Sequence, residues 1–259
     1  MTEPSPDYVQ SLARGLAVIR AFDGRHPRRT LSEVAQATDL TRATARRFLL
    51  TLVELGYVRS DGNQFWLTPR VLELGYSFLS SLSLPDLAGP HLEALAEKVR
   101  ESTSVSILDG TDIVYVARVP VSRIMTVSIN IGTRFPAYAT SMGRVLLADL
   151  DADALENYLA KVDLTPLTDT TVTTKRQLRA ELAQVRADGY CVVDQELEHG
   201  LRSMAAPVRD QHGVVVAAVN ISTQAARYTL GEVRDSLVPA LLDTGAAIEH
   251  DLTRIRSTT

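Results

Sequence analysis

Residues 39–58 read DLTRATARRFLLTLVELGYV, and this stretch sets Arg42, Arg46 and Arg47 close together in a helical pattern. At about 100° per residue, Ala45, Phe48, Leu49 and Leu52 share one side, while Arg42, Ala43, Arg46 and Arg47 cluster opposite. Thr41 opens the helix, which runs to about Leu55 and stops at Gly56, a normal C-terminal signal. Buried helices do not carry such an arginine cluster, and solvated ones usually mix in acids. The pattern predicts an apolar stripe docked on the rest of the fold and a guanidinium face turned outward. A plain solvated face is the competing reading. Leu50 falls near the middle of the arginine face, where it touches either a thymine methyl or the wing, the β-hairpin that follows.

Working outward, TLSEVAQAT reads as a short helix with Leu31, Val34 and Ala35 inward and Ser32 as its cap, and TDL as a tight turn. Upstream, Ser11 can cap a helix whose Leu12, Leu16, Ile19 and Phe22 recur at helical spacing. Downstream, YVRSDGNQFWL holds two β-rich pieces around Asp61-Gly62-Asn63, a hairpin signal. Helix, short helix, turn, longer helix and hairpin in that order is the layout of a winged helix-turn-helix. In that layout the arginine helix faces double-stranded operator DNA. Planar guanidinium forks suit guanine edges and phosphates, and small Ala43 lets the backbone approach base edges. Thr41 and Thr44 sit where hydroxyls bond phosphate oxygens at a helix N-terminus. Arg25, Arg28 and Arg29 flank the second helix's start, as phosphate contacts or as solvated loop charges. Arg59 and Gln64 border the wing tip, and Trp66 is expected to pack the wing to the core rather than stack on a base. The expected DNA-contact set is Arg28, Arg29, Ser32, Thr41, Arg42, Ala43, Thr44, Arg46, Arg47 and Arg59.

The bulk numbers allow this. A chain of 259 residues is a natural length for two domains, and 45% hydrophobic with 22% charged residues permits two globular cores. The net charge of −4 argues against nucleic acid only when taken whole. Residues 1–68 hold nine Arg against seven Asp+Glu, a balance of +2; the rest hold 18 Lys+Arg against 24 Asp+Glu, a balance of −6. Local sign decides what a surface attracts. One cysteine, Cys191, excludes an internal disulfide. No apolar run is long enough to span a membrane, and MTEPSPDYVQ lacks the parts of an export signal, so a cytoplasmic protein without membrane partners is the default.

Beyond Pro69 a helix to about Leu82 links to a second domain. Another helix runs from Pro85 to about Ser102, and from Ser104 the period turns strand-like: SVSILD and DIVYVARV as a hairpin, IMTVSIN as a third strand. IGTRFPAYATSMG is a loop leading to a helix near GRVLLADL. Helices follow near 151–160 and 174–188, the second with a capping box of Thr174 and Gln177. YCVVDQE, RSMAAPVRD and VVVAAVNIS are strands, and Thr229 to about Arg254 closes the chain as a helix. This is an α+β domain on an antiparallel sheet.

A small acid would sit in that domain. Gly132 bends the loop, Tyr138, Thr140 and Ser141 offer hydroxyls, and the backbone N–H groups after Thr140 can hold a carboxylate. Arg134 pairs with an anion or faces water. Asp194 and Glu196 share one strand face by alternation. Asn220 and Ser222 share another, and two polar residues in an apolar strand are costly unless hydrogen-bonded, which puts them in a pocket; the alternative ends the strand in solvent. Ser203 stands in the strand after Gly200. Met125 and Met142 are apolar lining or core. Catalysis finds no support: Cys191 lies between apolar residues, and His199 and His212 have no ligand spacing, so no metal or cofactor is expected.

With these motifs assembled, SLARGLAVIRAF, LSEVAQATDLTRATARRFLLTLVELGYV and FWLTPRVLELG resemble the N-terminal half of isocitrate-lyase-regulator (IclR) family transcription factors. GTRFPAYATSMGRVLLA and GYCVVDQELEHGLRSMAAPVRDQHGVVVAAVNIS resemble the family's effector domain, so the likeness covers about Val9 to Leu252. LDGTDIVYVARVP with RIM, and PAYATSMGR, look most like the protocatechuate and β-ketoadipate pathway regulators. The resemblance implies a winged helix-turn-helix over 8–68, a linker helix over 69–83 and a GAF-like effector domain over 84–256. It also implies a homodimer through the N-terminal halves, often a dimer of dimers, and a small, often anionic effector such as an aromatic acid or dicarboxylate. Many members carry Cys where Ser203 stands and Ser where Asn220 stands, positions that line the pocket in relatives. The competing class is a GAF-like metabolite-binding protein or enzyme whose N-terminal half docks protein rather than DNA.

Overall fold

The computed structural model describes residues 7–74, 83–121 and 129–256. Contacts divide the chain into two units, Met1–Ser81 and Leu82–Thr259. Among the described residues no helix is long and apolar enough to cross a membrane.

In the first unit, α1 spans Gln10–Arg20, β1 Arg29–Thr30, α2 Leu31–Ala37, α3 Arg42–Glu54, β2 Val58–Ser60 and β3 Gln64–Leu67. The helices pack through Val18, Phe22, Val34, Ala45, Leu49 and Leu52, with Val58 and Phe65 of the hairpin closing the same core. Truncating a fully buried leucine such as Leu49 costs about 2–5 kcal/mol. Two expected caps are corrected. Val9, not Ser11, precedes α1, with no side-chain cap. Thr30, not Ser32, caps α2: Thr30 Oγ1 accepts from the Glu33 amide, and Glu33 Oε2 accepts from the Thr30 amide at 2.7 Å. Glu33 stands three residues after Thr30, which is the spacing a capping box needs.

The hairpin gains a strand that was not expected. β1 pairs antiparallel with β3, Arg29 opposite Phe65, giving a three-stranded wing ordered β1-β3-β2. At the wing tip Asp61 Oδ1 accepts from the Asn63 and Gln64 amides at 3.0 and 2.8 Å. α3 ends in a Schellman motif: Tyr57 N–H donates to Leu52 and Gly56 N–H to Val53, with Gly56 at φ +80°. A side chain at Gly56 would be strained in that conformation.

In the second unit, α4 spans Ser83–Val99, β4 Ser102–Asp109, β5 Asp112–Val119, β6 Arg134–Pro136, α5 Ser141–Asp149, α6 Ala152–Lys161 and α7 Lys175–Asp188. β7 Cys191–Asp194, β8 Leu201–Arg209, β9 Val215–Gln224 and, after a π-helical turn at Val233–Leu237, α8 Val238–Arg256 complete it. All six strands are antiparallel, in the order β6-β5-β4-β9-β8-β7. One face, with Val105, Met204, Ala206, Val219 and Ile221, packs on α4 and α8 through Leu92, Leu95, Leu241 and Ile248. The other, with Tyr115, Cys191, Val193, Ala205 and Ala218, packs on α5 and α7 through Val145, Leu146, Leu178 and Leu182. Alternation along each strand sorts the two sets.

Two expectations change here. β6 lies inside the segment expected to be loop, because Phe135 and Arg134 pair back onto Ile113 and Val114. Thr174 does cap α7, but its hydroxyl meets the Gln177 side chain directly at 2.8 Å instead of closing a full box. Most of the expected strand IMTVSIN, and the linker helix beyond Leu74, lie outside the described residues.

Candidate functional site

The first candidate surface is the outer face of α3. Ala45 and Leu49 are fully buried, while Arg42, Ala43, Arg46, Arg47 and Leu50 are exposed. Among the described residues no carboxylate pairs with Arg42, Arg46 or Arg47, so the face carries uncompensated positive charge. Thr41 Oγ1 accepts from the Thr44 amide at 3.2 Å and bonds the Thr44 hydroxyl at 2.9 Å, fixing the first turn. Ser32 lies exposed on the first turn of α2, and Arg59 is exposed on β2. Arg28 is less free than its neighbours: its guanidinium lies 4.2 Å from the Trp66 ring centre and 3.8 Å from Asp61. Arg29 is partly buried in β1, and its Nε lacks a hydrogen-bond partner. Arg70, which sequence reasoning passed over, donates from Nη1 to the Leu55 carbonyl at 2.9 Å, while Thr68 Oγ1 donates to the Gly56 carbonyl at 2.6 Å. Both satisfy carbonyls at the C-terminal end of α3 that would otherwise need water.

The second candidate surface is the α5-covered face of the sheet. Cross-strand register places Arg118, Ser104 and Asn220 in one row over β5, β4 and β9. Ser102, Ser222 and Ser203 form the next row over β4, β9 and β8. Ser106 and Tyr115 flank the first row on its other side. Ser104, Ser106, Ser203, Asn220 and Ser222 are all buried. Arg118 Nη1 donates to Ser104 Oγ at 3.2 Å, and Asn220 Nδ2 to Ser222 Oγ at 2.9 Å. Burial lowers the Arg118 pKa and pushes the Tyr115 hydroxyl up to about 12. Ser106 Oγ and Asn220 Oδ1 have no hydrogen-bond partner, which is expensive in a buried place. The Asp149 carboxylate accepts from the Val215 amide at 2.9 Å, tying the C-terminal end of α5 to the start of β9.

Several expected ligand residues are committed elsewhere. Arg134 is exposed to water, and its guanidinium bonds Asp109 at 2.6 Å and Asp112 at 3.2 Å. Tyr138 donates its hydroxyl to the Thr165 carbonyl at 2.6 Å. Thr140 caps α5 through the Gly143 amide, and Ser141 and Met142 are buried in that first turn. Gly132, at φ +86°, turns a tight loop back onto Tyr115. Asp194 and Glu196 do not share a face, because Gln195 at φ +62° ends the alternation. Asp194 pairs with Arg202 at 2.9 Å, and Glu196 with buried Arg144 at 2.5 Å. Ser203, Asn220 and Ser222 do come together, and the strand carrying the last two does not end in solvent. Met125 lies outside the described residues. Cys191 is buried and its thiol pushed up to about 12 by desolvation, so it is no nucleophile. The serines of β4 and Arg118 were missed, although Ser102, Ser104 and Ser106 alternate in the sequence.

Two family models match the chain: the IclR helix-turn-helix domain over residues 11–62 and the bacterial transcriptional regulator IclR C-terminal domain over 76–250. The Pca regulon regulatory protein of Pseudomonas putida is 45% identical over 248 residues, 95% of this chain and 85% of that one. A crystal structure of a transcriptional regulator from Rhodococcus sp. RHA1 has a TM-score of 0.85 at 70% identity, covering 95% of this chain and 98% of that one. An IclR homolog from Microbacterium hydrocarbonoxydans, complexed with 4-hydroxybenzoate, has a TM-score of 0.83 at 27% identity, covering 94% and 99%. These relatives are transcriptional regulators, not enzymes.

Proposed function

The chain belongs to the IclR family of DNA-binding transcriptional regulators, and from that membership we propose how its parts divide the work. Residues 8–68 read operator DNA, 69–83 connect, and 84–256 sense a small organic acid. α3 enters the major groove with Arg42, Ala43, Arg46 and Arg47, while Thr41, Thr44, Ser32, Arg28, Arg29 and Arg59 hold phosphates. The observation that carries this is the α3 face, with three exposed arginines and no carboxylate partner among the described residues. The regulated genes serve catabolism of aromatic acids, a reading supported by the 45% likeness to a Pca regulon regulator and by the hydroxybenzoate-bound homolog. Acid bound on the polar face of the six-stranded sheet shifts populations between DNA-competent and DNA-incompetent forms. The active species is a homodimer, supported by the exposed apolar residues Leu12 and Leu16 of α1 and Val9 just before it.

The test is the double variant Arg46→Ala, Arg47→Ala. Its affinity for DNA upstream of the regulated operon should fall steeply, and the slope of log affinity against log salt should flatten by up to about 2. Both side chains are exposed, so the melting temperature should hardly move. Unchanged affinity and slope would show that α3 is not the reading helix.

A further inference from the structure

Resting on the effector reading above, we propose that Arg118 is the carboxylate anchor of the second unit, and that its ligand is a monocarboxylate carrying a hydroxyl donor at its far end, a hydroxylated aromatic acid. Three observations place the ends of this ligand. Arg118 is a partly buried guanidinium whose hydrogen bond in this structure goes to a neutral hydroxyl, Ser104 Oγ. Among the described residues no carboxylate pairs with it. The other buried arginine against this face, Arg144, is already matched to Glu196. A desolvated cation without a counter-ion favours an incoming anion strongly, and a guanidinium fork takes a carboxylate with two parallel bonds.

The far end is set by Asn220, two strands from Arg118 in the same row, so about 10 Å away by strand spacing. Asn220 spends its N–H on Ser222, which leaves Oδ1 as an unpartnered, buried acceptor. Ser106 Oγ is unpartnered beside it. An acceptor repels a second carboxylate and welcomes an O–H. A dicarboxylate is therefore disfavoured, and a hydroxyl is favoured. Between the ends the same face is apolar: Tyr115 stands edge-on to Phe135 at 5.9 Å, with Met142 and Ala218 in the same cluster. A flat ring suits that wall.

The experiment is calorimetric titration of the full chain with 4-hydroxybenzoate, 3,4-dihydroxybenzoate, benzoate and adipate. The hydroxylated acids should bind more tightly than benzoate, and adipate most weakly. Arg118→Gln should weaken the hydroxylated acids roughly 10- to 100-fold, the worth of a charged hydrogen bond. Arg118→Lys should lose less. Asn220→Ala should erase the preference for 4-hydroxybenzoate over benzoate; if Arg118→Gln does not fold, this variant and the Lys variant decide the matter. Wild-type affinity retained in Arg118→Gln, adipate binding tightest, or no binding by the wild type would each overturn the anchor. DNA affinity of the same preparations is scored separately. A regulator that binds its operator but none of these acids refutes the ligand assignment and leaves the regulator reading standing.

Discussion

Arg144 and Glu196 form a buried ion pair, Nη2 to Oε2 at 2.5 Å, that joins the first turns of α5 to the loop after β7. The same guanidinium donates from Nε to the Tyr138 carbonyl at 2.9 Å, and Glu196 Oε2 also accepts from the Val172 amide at 2.9 Å. Arg144 also has the half-exposed Glu181 carboxylate 3.6 Å from its Nη1. Removing the Glu196 charge leaves the buried guanidinium only that longer, solvent-exposed contact. Glu196→Gln is expected to cost about 3–5 kcal/mol in urea unfolding, and the double variant Arg144→Met, Glu196→Leu to cost less than that single change. A Gln variant as stable as wild type would mean that water already reaches the pair.

Gly143 allows α5 to sit against the short 3-10 turn at Ala137–Ala139. A Cβ built there would lie 2.1 Å from the Ala137 carbonyl oxygen and 2.4 Å from its Cα, both backbone atoms that cannot swing aside. Gly143→Ala should therefore destabilise the second unit by about 1–3 kcal/mol or more, despite alanine's better helix propensity. Thermal melting of the full chain checks this. An unchanged or raised melting temperature would show that the turn can withdraw.

Glu101 is fully buried at the start of β4, and burial holds its carboxyl above the ordinary range despite bonds from Thr223 at 2.9 Å and Arg227 at 2.7 Å. The folded chain then keeps this proton more tightly than the unfolded chain. Its contribution to stability is complete below the ordinary value of 4.5 and is lost as pH rises through the elevated folded value. Glu101→Gln removes that titration. Wild type should lose stability relative to the Gln variant as pH climbs from below 4.5 towards neutrality, read as the difference between the two melting curves. A difference that does not vary with pH would refute it.

Much of this architecture could be read in advance because its signals are local. The amphipathic period of α3, the Asp61-Gly62-Asn63 turn and the alternating strands need only neighbours in sequence. The failures are where long-range register decides. β1 is two residues long, too short to show a period, and exists because β3 offers it a partner. Ser32 lost the cap of α2 to Thr30, which alone stands three residues before Glu33. Asp194 and Glu196 looked like neighbours on a face until a left-handed residue between them turned the chain. Arg118 escaped notice because DIVYVARV reads as an ordinary strand; only its pairing with Ser104, and Ser104's with Asn220, assembles a polar floor.

With no carboxylate partner among the described residues, Arg118 has a consequence for how long the molecule survives. An uncompensated guanidinium taxes the empty protein, and an acid that settles on it lifts the tax, raising the free energy of unfolding in step with occupancy. Proteases feed on opened chains, so small changes in that free energy become several-fold changes in abundance. Cells rich in the acid would then hold more of this regulator as well as a differently poised one, and its turnover rate would itself report the metabolite.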